Sequence, residues 1–217
     1  MSKRYTYGVV DAGEFGDDEA TLTETLDGVD AVDGGGPVEL LQQGPLAAVV
    51  SEIDTLEPDD SDENSRRHDE VLRAVMTVGD GHAVVPMRFG MVFESDPAVS
   101  NVLRSARPAF TRALRSVEGR VEVGLKLVEE EAQSLDQQAV RESVASELAD
   151  HHVERTEGDR FSDRLVLNRS YLVEREERPA FDDAVDRIED RHESLLVQYT
   201  GPWAPYNFVD IQIGAQR

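Results

Sequence analysis

Hydrophobic and polar side chains alternate along several short stretches of this chain, and the alternation predicts β-strands. The clearest stretch is 120–128, where valine and leucine occupy every second position and charged residues or glycine stand between them. Such a strand presents one face to a core and the other to solvent. Similar stretches predict further strands at 5–9, 46–53, 83–89, 165–174, 195–199 and 207–213.

A different spacing, with three to four residues between hydrophobic positions, predicts helices between these strands. The hydrophobic residues of 71–76 form one such stripe. The sequence Ser-Asp-Pro at 95–97 begins another helix that continues to Val117, and Pro108 should kink or split it. Further helices are predicted near 19–27, at 134–152 and after Pro179.

Strands and helices are interspersed along the whole chain, which predicts an α+β fold. The 217 residues are enough for two small domains, and the end of a helix at Gly119 is the most natural boundary between them. We therefore expect an N-terminal α+β domain at 1–118, a second α+β domain at 119–200 and a C-terminal tail at 201–217.

The composition is strongly acidic, with 45 acidic and 22 basic residues and a net charge of −23. Self-repulsion of this size destabilises a compact state in dilute buffer, whereas molar salt shortens the Debye length to about 3 Å. The composition therefore indicates adaptation to a salt-rich cytoplasm, with an ordinary acidic protein as the alternative. The arginines are interleaved with acidic residues, so we expect neither nucleic acid nor a membrane as a partner.

No sequence pattern of a catalytic, metal or cofactor site is present. The five histidines lack metal-ligand spacing, and the acidic run at 57–65 lacks the glycine and glutamate of a calcium-binding loop. There is no cysteine and no apolar run long enough to span a membrane, and the first 15 residues lack the apolar run typical of a signal peptide. We expect a soluble, intracellular binding protein, and the remote alternative is an enzyme that uses His68 or Arg88.

The segment 84–93, with the sequence VVPMRFGMVF, is apolar except for Arg88. An arginine in such a segment must pair with a carboxylate or reach water. Two interpretations follow. The segment is either a core strand with a structural ion pair or a surface for a binding partner, to which Arg88, Phe89 and Val92 contribute.

The segment 201–209, with the sequence GPWAPYNFV, combines aromatic residues with two prolines. Such a segment is stiff and offers a large contact area at little cost in conformational entropy. It either fastens the tail to the chain's own domains or presents anchors to a partner, and we favour the first. The anchors would be Trp203, Tyr206 and Phe208.

Six segments together resemble the gas vesicle protein GvpF/GvpL family, in family order and over nearly the whole chain. The compact length resembles GvpF members more than the longer GvpL members of haloarchaea, and Ala204 stands where members often have proline. The segments are YTYGVV at 5–10, HDEVLRAVM at 68–76, VVPMRFGMVF at 84–93, VEVGLKL at 121–127, LVLNRSYLVER at 165–175 and GPWAPYNFV at 201–209.

The resemblance implies two α+β domains, the second with a modified ferredoxin-like fold that has inserted helices, and a tail packed between the domains. It also implies an accessory protein that binds the hydrophobic shell protein GvpA and other accessory proteins, and that supports nucleation and assembly of gas vesicles like a chaperone. A structural component of the vesicle wall is the alternative. On this basis, we expect Arg88, Phe89 and Val92 to form an apolar groove for GvpA in a protein that is cytoplasmic and associated with gas vesicles.

Overall fold

The structure is a computed structural model that describes residues 2–13, 19–79, 81–130 and 135–211. The chain divides into two compact units. The described residues up to Gly119 form the first unit together with those from Ala204 onward, and Arg120–Trp203 form the second. Both units mix helices with antiparallel sheets, which confirms the predicted α+β class.

The first unit contains a five-stranded sheet and four α-helices among its described residues. The strands follow the order β2-β3-β1-β4, and the short strand β5 also pairs with β1. The elements are β1 (Lys3–Asp11), α1 (Glu19–Asp27), β2 (Glu39–Gln43), β3 (Leu46–Ile53), α2 (Asp62–Thr77), β4 (Val85–Pro86), β5 (Val92–Phe93), α3 (Asp96–Ser105) and α4 (Arg107–Val117).

Strand β1 is buried along nearly its whole length because helices pack on both faces of this sheet. Val9 belongs to a core shared with α3 and α4, and its neighbour Gly8 lies against α2 on the opposite face. A side chain at Gly8 would have its Cβ atom 2.9 Å from both Leu72 and Val84. Glycine therefore lets α2 approach the centre of the sheet closely.

The long helix predicted after residue 95 is split, as expected from its internal proline. Helix α3 ends at Ser105, α4 begins at Arg107, and Pro108 lies in the first turn of α4. A proline is tolerated there because the first amides of a helix have no partner within the helix.

The second unit has the element order strand, helix, strand, strand, helix, strand. The strands lie in the order β7-β8-β6-β9 and all pairs are antiparallel, which is the ferredoxin-like arrangement. The described part of this unit contains the helices α5 and α6 and no further, inserted helix. The elements are β6 (Arg120–Glu129), α5 (Gln137–Glu147), β7 (Glu154–Glu157), β8 (Leu165–Glu174), α6 (Arg178–Arg191) and β9 (Leu195–Trp203).

The two sheets share one topology. In each unit the first and third strands lie in the centre, the second strand lies at one edge, and the fourth position lies at the other edge. In the first unit that fourth position is divided between β4 and β5, and α3 and α4 follow it. The ferredoxin-like strand order is thus present in both units, although their sequences show no repeat.

One predicted strand is wrong over the part of it that the structure describes. Residues 207–211 form a turn and irregular structure instead of a strand, and 212–213 lie outside the described residues. Other predictions change in extent. The strand predicted at 83–89 is reduced to Val85–Pro86. Helix α5 ends at Glu147 rather than near 152, and β9 continues to Trp203.

Candidate functional site

A groove with a volume of about 470 Å³ lies on the first unit. Its walls come from β4, the residues that follow β4, and the C-terminal segment of the chain. We call it the Arg88 groove. Its lining is mainly apolar, and the lining residues are Val85, Pro86, Met87, Arg88, Met91, Tyr206, Val209, Asp210 and Ile211.

The segment between β4 and β5 leaves the sheet, and backbone hydrogen bonds join it to β1 near its two ends. The Met87 amide donates a hydrogen bond of 2.8 Å to the Tyr7 carbonyl. The Thr6 amide donates one of 2.9 Å to the Met91 carbonyl. Between these two bonds, Gly90 has a φ angle of 83°, which lets the backbone turn sharply.

A buried pair of side chains, Tyr5 and His68, holds this segment from below. His68 Nδ1 lies 2.8 Å from the Tyr5 hydroxyl, and His68 Nε2 lies 3.1 Å from the Met87 carbonyl. A carbonyl only accepts, so Nε2 carries the proton, and Nδ1 accepts from the Tyr5 hydroxyl. The Tyr5 oxygen in turn accepts a hydrogen bond from the Gly90 amide.

Burial keeps His68 neutral, as this arrangement of donors and acceptors requires. The side chain is only 2% exposed, and its burial lowers the pKa of His68 to about 4. Burial also raises the pKa of the Tyr5 hydroxyl above its ordinary value. Both groups are therefore uncharged near neutral pH, and they fix the backbone on both sides of Arg88.

Arg88 and Phe89 are adjacent in sequence but have different surroundings. Arg88 is exposed, and it forms no ion pair with any residue in the described part of the chain. Phe89 is half-buried, and its ring centroid lies 6.0 Å from those of Tyr5 and His68. Arg88 thus reaches water at the groove, while Phe89 contributes to the aromatic cluster that supports the segment.

Of the three residues expected to form a partner surface, Arg88 is the one that lines the groove. Val92 lies in β5 opposite Tyr5 and is half-buried. Neither Val92 nor Phe89 is among the described residues that line the groove. Sequence reasoning missed Met87, Met91 and the tail residues, although their apolar character was visible in the segments that contain them.

The C-terminal segment forms the second wall of the groove. The Tyr206 hydroxyl donates a hydrogen bond of 2.9 Å to Asp69 on α2, and burial raises the pKa of that carboxyl group. Val209 and Ile211 are partly buried against the core of the first unit. These contacts place the segment beside β4.

The three predicted tail anchors have different positions. Tyr206 lines the groove, whereas Phe208 is half-buried outside it. Trp203 lies in β9 of the second unit, where its indole nitrogen donates to the Thr200 hydroxyl. That these residues fasten the tail between the two domains stays a prediction.

The groove does not bring together His68 and Arg88, the residues considered for the remote alternative of an enzyme. His68 is buried and does not line the groove, so it does not share a polar pocket with Arg88. No three His, Asp or Glu side chains of the described residues are grouped so that they could hold a metal ion. None of the helices in the described ranges is long and apolar enough to cross a membrane.

The chain matches the profile of the family described as gas vesicle synthesis protein GvpL/GvpF, over residues 3–143 and 129–210. The chain belongs to the GvpL/GvpF family. Together the two matched ranges cover most of both compact units and all residues that line the Arg88 groove except Ile211.

Individual members of the family are similar to the chain over nearly its full length. Gas vesicle protein F1 of Halobacterium salinarum is 42% identical over 213 residues, which cover 98% of this chain and 95% of that protein. Gas vesicle protein F of Haloferax mediterranei is 42% identical over 214 residues, with 98% and 96% covered. Both relatives are haloarchaeal, which agrees with the salt adaptation that the composition indicates.

The fold is also found in an experimental structure. The crystal structure of the gas vesicle protein GvpF from Anabaena sp. superposes with a TM-score of 0.83 at 21% sequence identity, and the match covers 98% of each chain. At this identity the similarity concerns the fold. It supports the mixed helix and sheet architecture of both units.

Proposed function

We propose that this protein supports nucleation and assembly of gas vesicles by holding an apolar surface of the shell protein GvpA in the Arg88 groove. The observation that carries the proposal is a concave surface whose lining residues have apolar or aromatic side chains except for Arg88 and Asp210. Concave apolar surfaces with few polar groups are the usual sites of specific binding. We place this activity in the cytoplasm, at forming gas vesicles.

The physical need for such a partner follows from the nature of a hydrophobic shell subunit. A subunit with large apolar surfaces aggregates before assembly unless those surfaces are covered. The flexible side chain of Met91, which is only partly buried, can adapt to an apolar segment without a fixed shape. The net charge of −23 would keep the resulting complex in solution.

Arg88 would give this binding its orientation. Its exposed guanidinium lines the groove and has no carboxylate partner among the described residues. A carboxylate of the bound protein could accept charge-assisted hydrogen bonds from it. Charged contacts of this type contribute more to specificity and to the rate of association than to affinity.

The proposal is tested by co-purification of GvpA with variants of the groove. We expect Arg88→Glu and Val209→Asp each to reduce the amount of bound GvpA, because one reverses the charge and the other makes the wall polar. Arg104→Glu on α3 and Val153→Asp in the second unit are matched controls, since both side chains are exposed away from the groove lining. The controls should bind as the unchanged protein does.

Folding of each variant is verified by its thermal unfolding in molar KCl. Undiminished binding of GvpA by folded Arg88→Glu and Val209→Asp variants would refute the location of the site. Phe89→Ala is less informative, because Phe89 packs on Tyr5 and His68 and its loss can disturb the whole segment.

The alternative role, a structural component held in the vesicle wall, predicts a different distribution of the protein. Salt-washed vesicles and the cytosol would be compared by quantitative mass spectrometry. An assembly factor stays mainly in the cytosolic fraction with other accessory proteins, whereas a wall component stays with washed vesicles at a constant ratio to GvpA.

A further inference from the structure

Three arginines of the second unit line one small pocket. Arg141 comes from α5, Arg169 from β8, and Arg160 from the residues between β7 and β8. The cavity has a volume of about 90 Å³, and Glu157 is its one acidic lining residue within the described part of the chain. The lining of this pocket thus has three basic residues and one acidic residue, although the net charge of the whole chain is −23.

The fold creates this concentration of positive charge from arginines that are dispersed in the sequence. Arg141 is drawn to β8 because its Nε donates a hydrogen bond of 2.6 Å to the Val166 carbonyl. Arg160 donates one of 3.0 Å to the side chain of Gln137 on α5. Each of these two bonds occupies one nitrogen, which leaves the remaining guanidinium donors available to a ligand.

One guanidinium nitrogen of Arg169, Nη1, has no hydrogen bond of normal geometry. The side chain of Arg169 is 11% exposed, and its Nε donates to Glu157 on the neighbouring strand β7. Its Nη1 atom is buried and has no hydrogen-bond partner in the described ranges of the chain. Buried polar nitrogens are nearly always hydrogen-bonded, so Nη1 keeps the capacity to donate to a further acceptor.

The guanidinium of Arg169 is a cation in this environment. Burial lowers the pKa of Arg169, but the nearby Tyr171 hydroxyl and Glu157 carboxylate raise it by more, so the pKa lies above its ordinary value. The Tyr171 hydroxyl interacts with this guanidinium, and both the Tyr171 oxygen and Arg169 Nη1 are buried without a hydrogen bond of normal geometry.

We infer that this pocket binds a compact oxyanion, and that the oxyanion is a carboxylate of a partner polypeptide. Guanidinium groups match the geometry of carboxylate and phosphate oxygens, and the volume suits one such group. The polypeptide source is favoured by Phe161, which follows Arg160 and keeps 71% of its surface exposed. Because it directly follows a pocket-lining arginine in the sequence, this exposed phenylalanine can offer an apolar contact to the residue that carries the carboxylate.

The pocket is tested by NMR of the arginine Nε–H groups in the full-length protein at constant molar KCl. The probes are N-acetylphenylalanine, its amide, acetate and inorganic phosphate. We expect N-acetylphenylalanine to shift the Arg141 and Arg169 resonances saturably, acetate to do so at higher concentration, and the amide, which lacks the carboxylate, to have no effect. The absence of a saturable shift with all three anions would overturn the pocket.

Phosphate distinguishes the two sources of an oxyanion. Tighter binding of phosphate than of N-acetylphenylalanine would assign the pocket to a free anion and overturn the polypeptide source. Weaker binding of phosphate supports the polypeptide source, because phosphate has the oxyanion but lacks the apolar group that Phe161 can contact.

Two variants test whether the arginines themselves bind the anion. We expect Arg169→Gln to weaken binding of N-acetylphenylalanine about tenfold or more, since a charge-assisted hydrogen bond is lost. Arg160→Gln should weaken it as well, and this side chain is exposed, so the variant keeps its fold. Arg187→Gln, which removes a surface pair with Glu147, is the matched control. Equal binding by Arg160→Gln, Arg169→Gln and the control would overturn the inference.

Discussion

His68 holds a surface segment in place although it is itself buried. Its two ring nitrogens contact Tyr5 on β1 and the Met87 carbonyl, and Tyr5 continues the connection to Gly90. The position of His68 in the sequence gives a partial signal, since it stands three residues before Val71 on the hydrophobic stripe of α2. The partners of its nitrogens could not be predicted, because they come from other parts of the chain.

The neutral state of His68 makes stability depend on pH. Its pKa is about 4 in the folded protein and 6.5 in an unfolded chain, so the unfolded chain binds more protons between these values. The free energy of unfolding should therefore fall by up to about 3 kcal/mol as the pH decreases from 6.5 to 4. Urea unfolding at several pH values in molar KCl measures this change.

The control for this pH dependence is His68→Gln, which removes the titrating ring. Burial also lowers the pKa of His192, so the unchanged protein and the variant share that contribution to the pH dependence. The difference between the two curves isolates His68. Parallel curves between pH 6.5 and 4 would contradict a buried neutral histidine.

Arg4 fastens three elements of the first unit. Its Nη1 donates to Glu39 on β2 at 2.8 Å and its Nε donates to Asp96 at the start of α3, while Glu52 lies 3.8 Å away. The hydrogen bond from Arg4 lowers the pKa of Asp96 below its usual value. The arginine side chain is only 10% exposed, whereas the carboxylates are about half exposed.

We expect Arg4→Gln to destabilise the protein by about 2 kcal/mol, because it leaves three carboxylates close together. The exposure of those carboxylates keeps the cost below that of a fully buried pair. Arg67→Gln is the matched control, since it breaks a surface pair with Glu63 on one helix and should cost about 0–1 kcal/mol. Denaturant unfolding of both variants makes the comparison, and equal losses would contradict this role of Arg4.

At the scale of elements, the packing of α2 on β1 depends on the small size of Gly8. Gly8→Ala places a Cβ atom 2.9 Å from side-chain atoms of Leu72 and Val84, so these closely packed side chains must move. We expect a loss of about 1–3 kcal/mol in the free energy of unfolding. Gly28→Ala is the control, because its nearest neighbour would be 3.4 Å away and the site is exposed. An equally stable Gly8→Ala variant would show that the contact is not tight.

The strands that sequence reasoning missed are edge strands. Strand β2 is half-exposed at one edge of its sheet, and all four residues of β7 are polar. Such strands carry no alternation of hydrophobic residues, since neither of their faces is fully buried. The central strands β1, β3, β6 and β8, which bury hydrophobic residues, were predictable for the opposite reason.

The candidate site was predictable on one wall only. The apolar segment around Arg88 is conspicuous in the sequence because a charge stands inside it. The second wall is not, because the alternation at 207–213 suggests a strand, while Val209 and Ile211 pack on a core formed far away in the sequence. Local patterns predict elements, and contacts between distant segments are decided by tertiary packing.

At the scale of the whole molecule, the two units share one strand order but differ in sequence and in the helices that follow the sheet. The first unit adds α3 and α4 after its sheet and carries the apolar groove, and the second unit carries the guanidinium pocket. The groove is lined by β4, the residues that follow it and the C-terminal segment. The pocket is lined by residues of α5, β8 and the connection between β7 and β8. The same framework therefore offers two sites of different chemistry, and their variants can be tested independently.

The net charge of −23 is a property of the whole chain, and it predicts how stability responds to salt. Raising KCl from 0.1 M to molar concentrations shortens the Debye length from about 10 Å to about 3 Å, which weakens repulsion among surface carboxylates. We expect the melting temperature to rise over this range and then level off. A variant with the exposed acidic residues Glu57, Asp59 and Asp60 changed to amides should melt higher in dilute salt and respond less to KCl. Melting temperatures that are independent of KCl, or equal responses of the two proteins, would mean that the acidity has another cause.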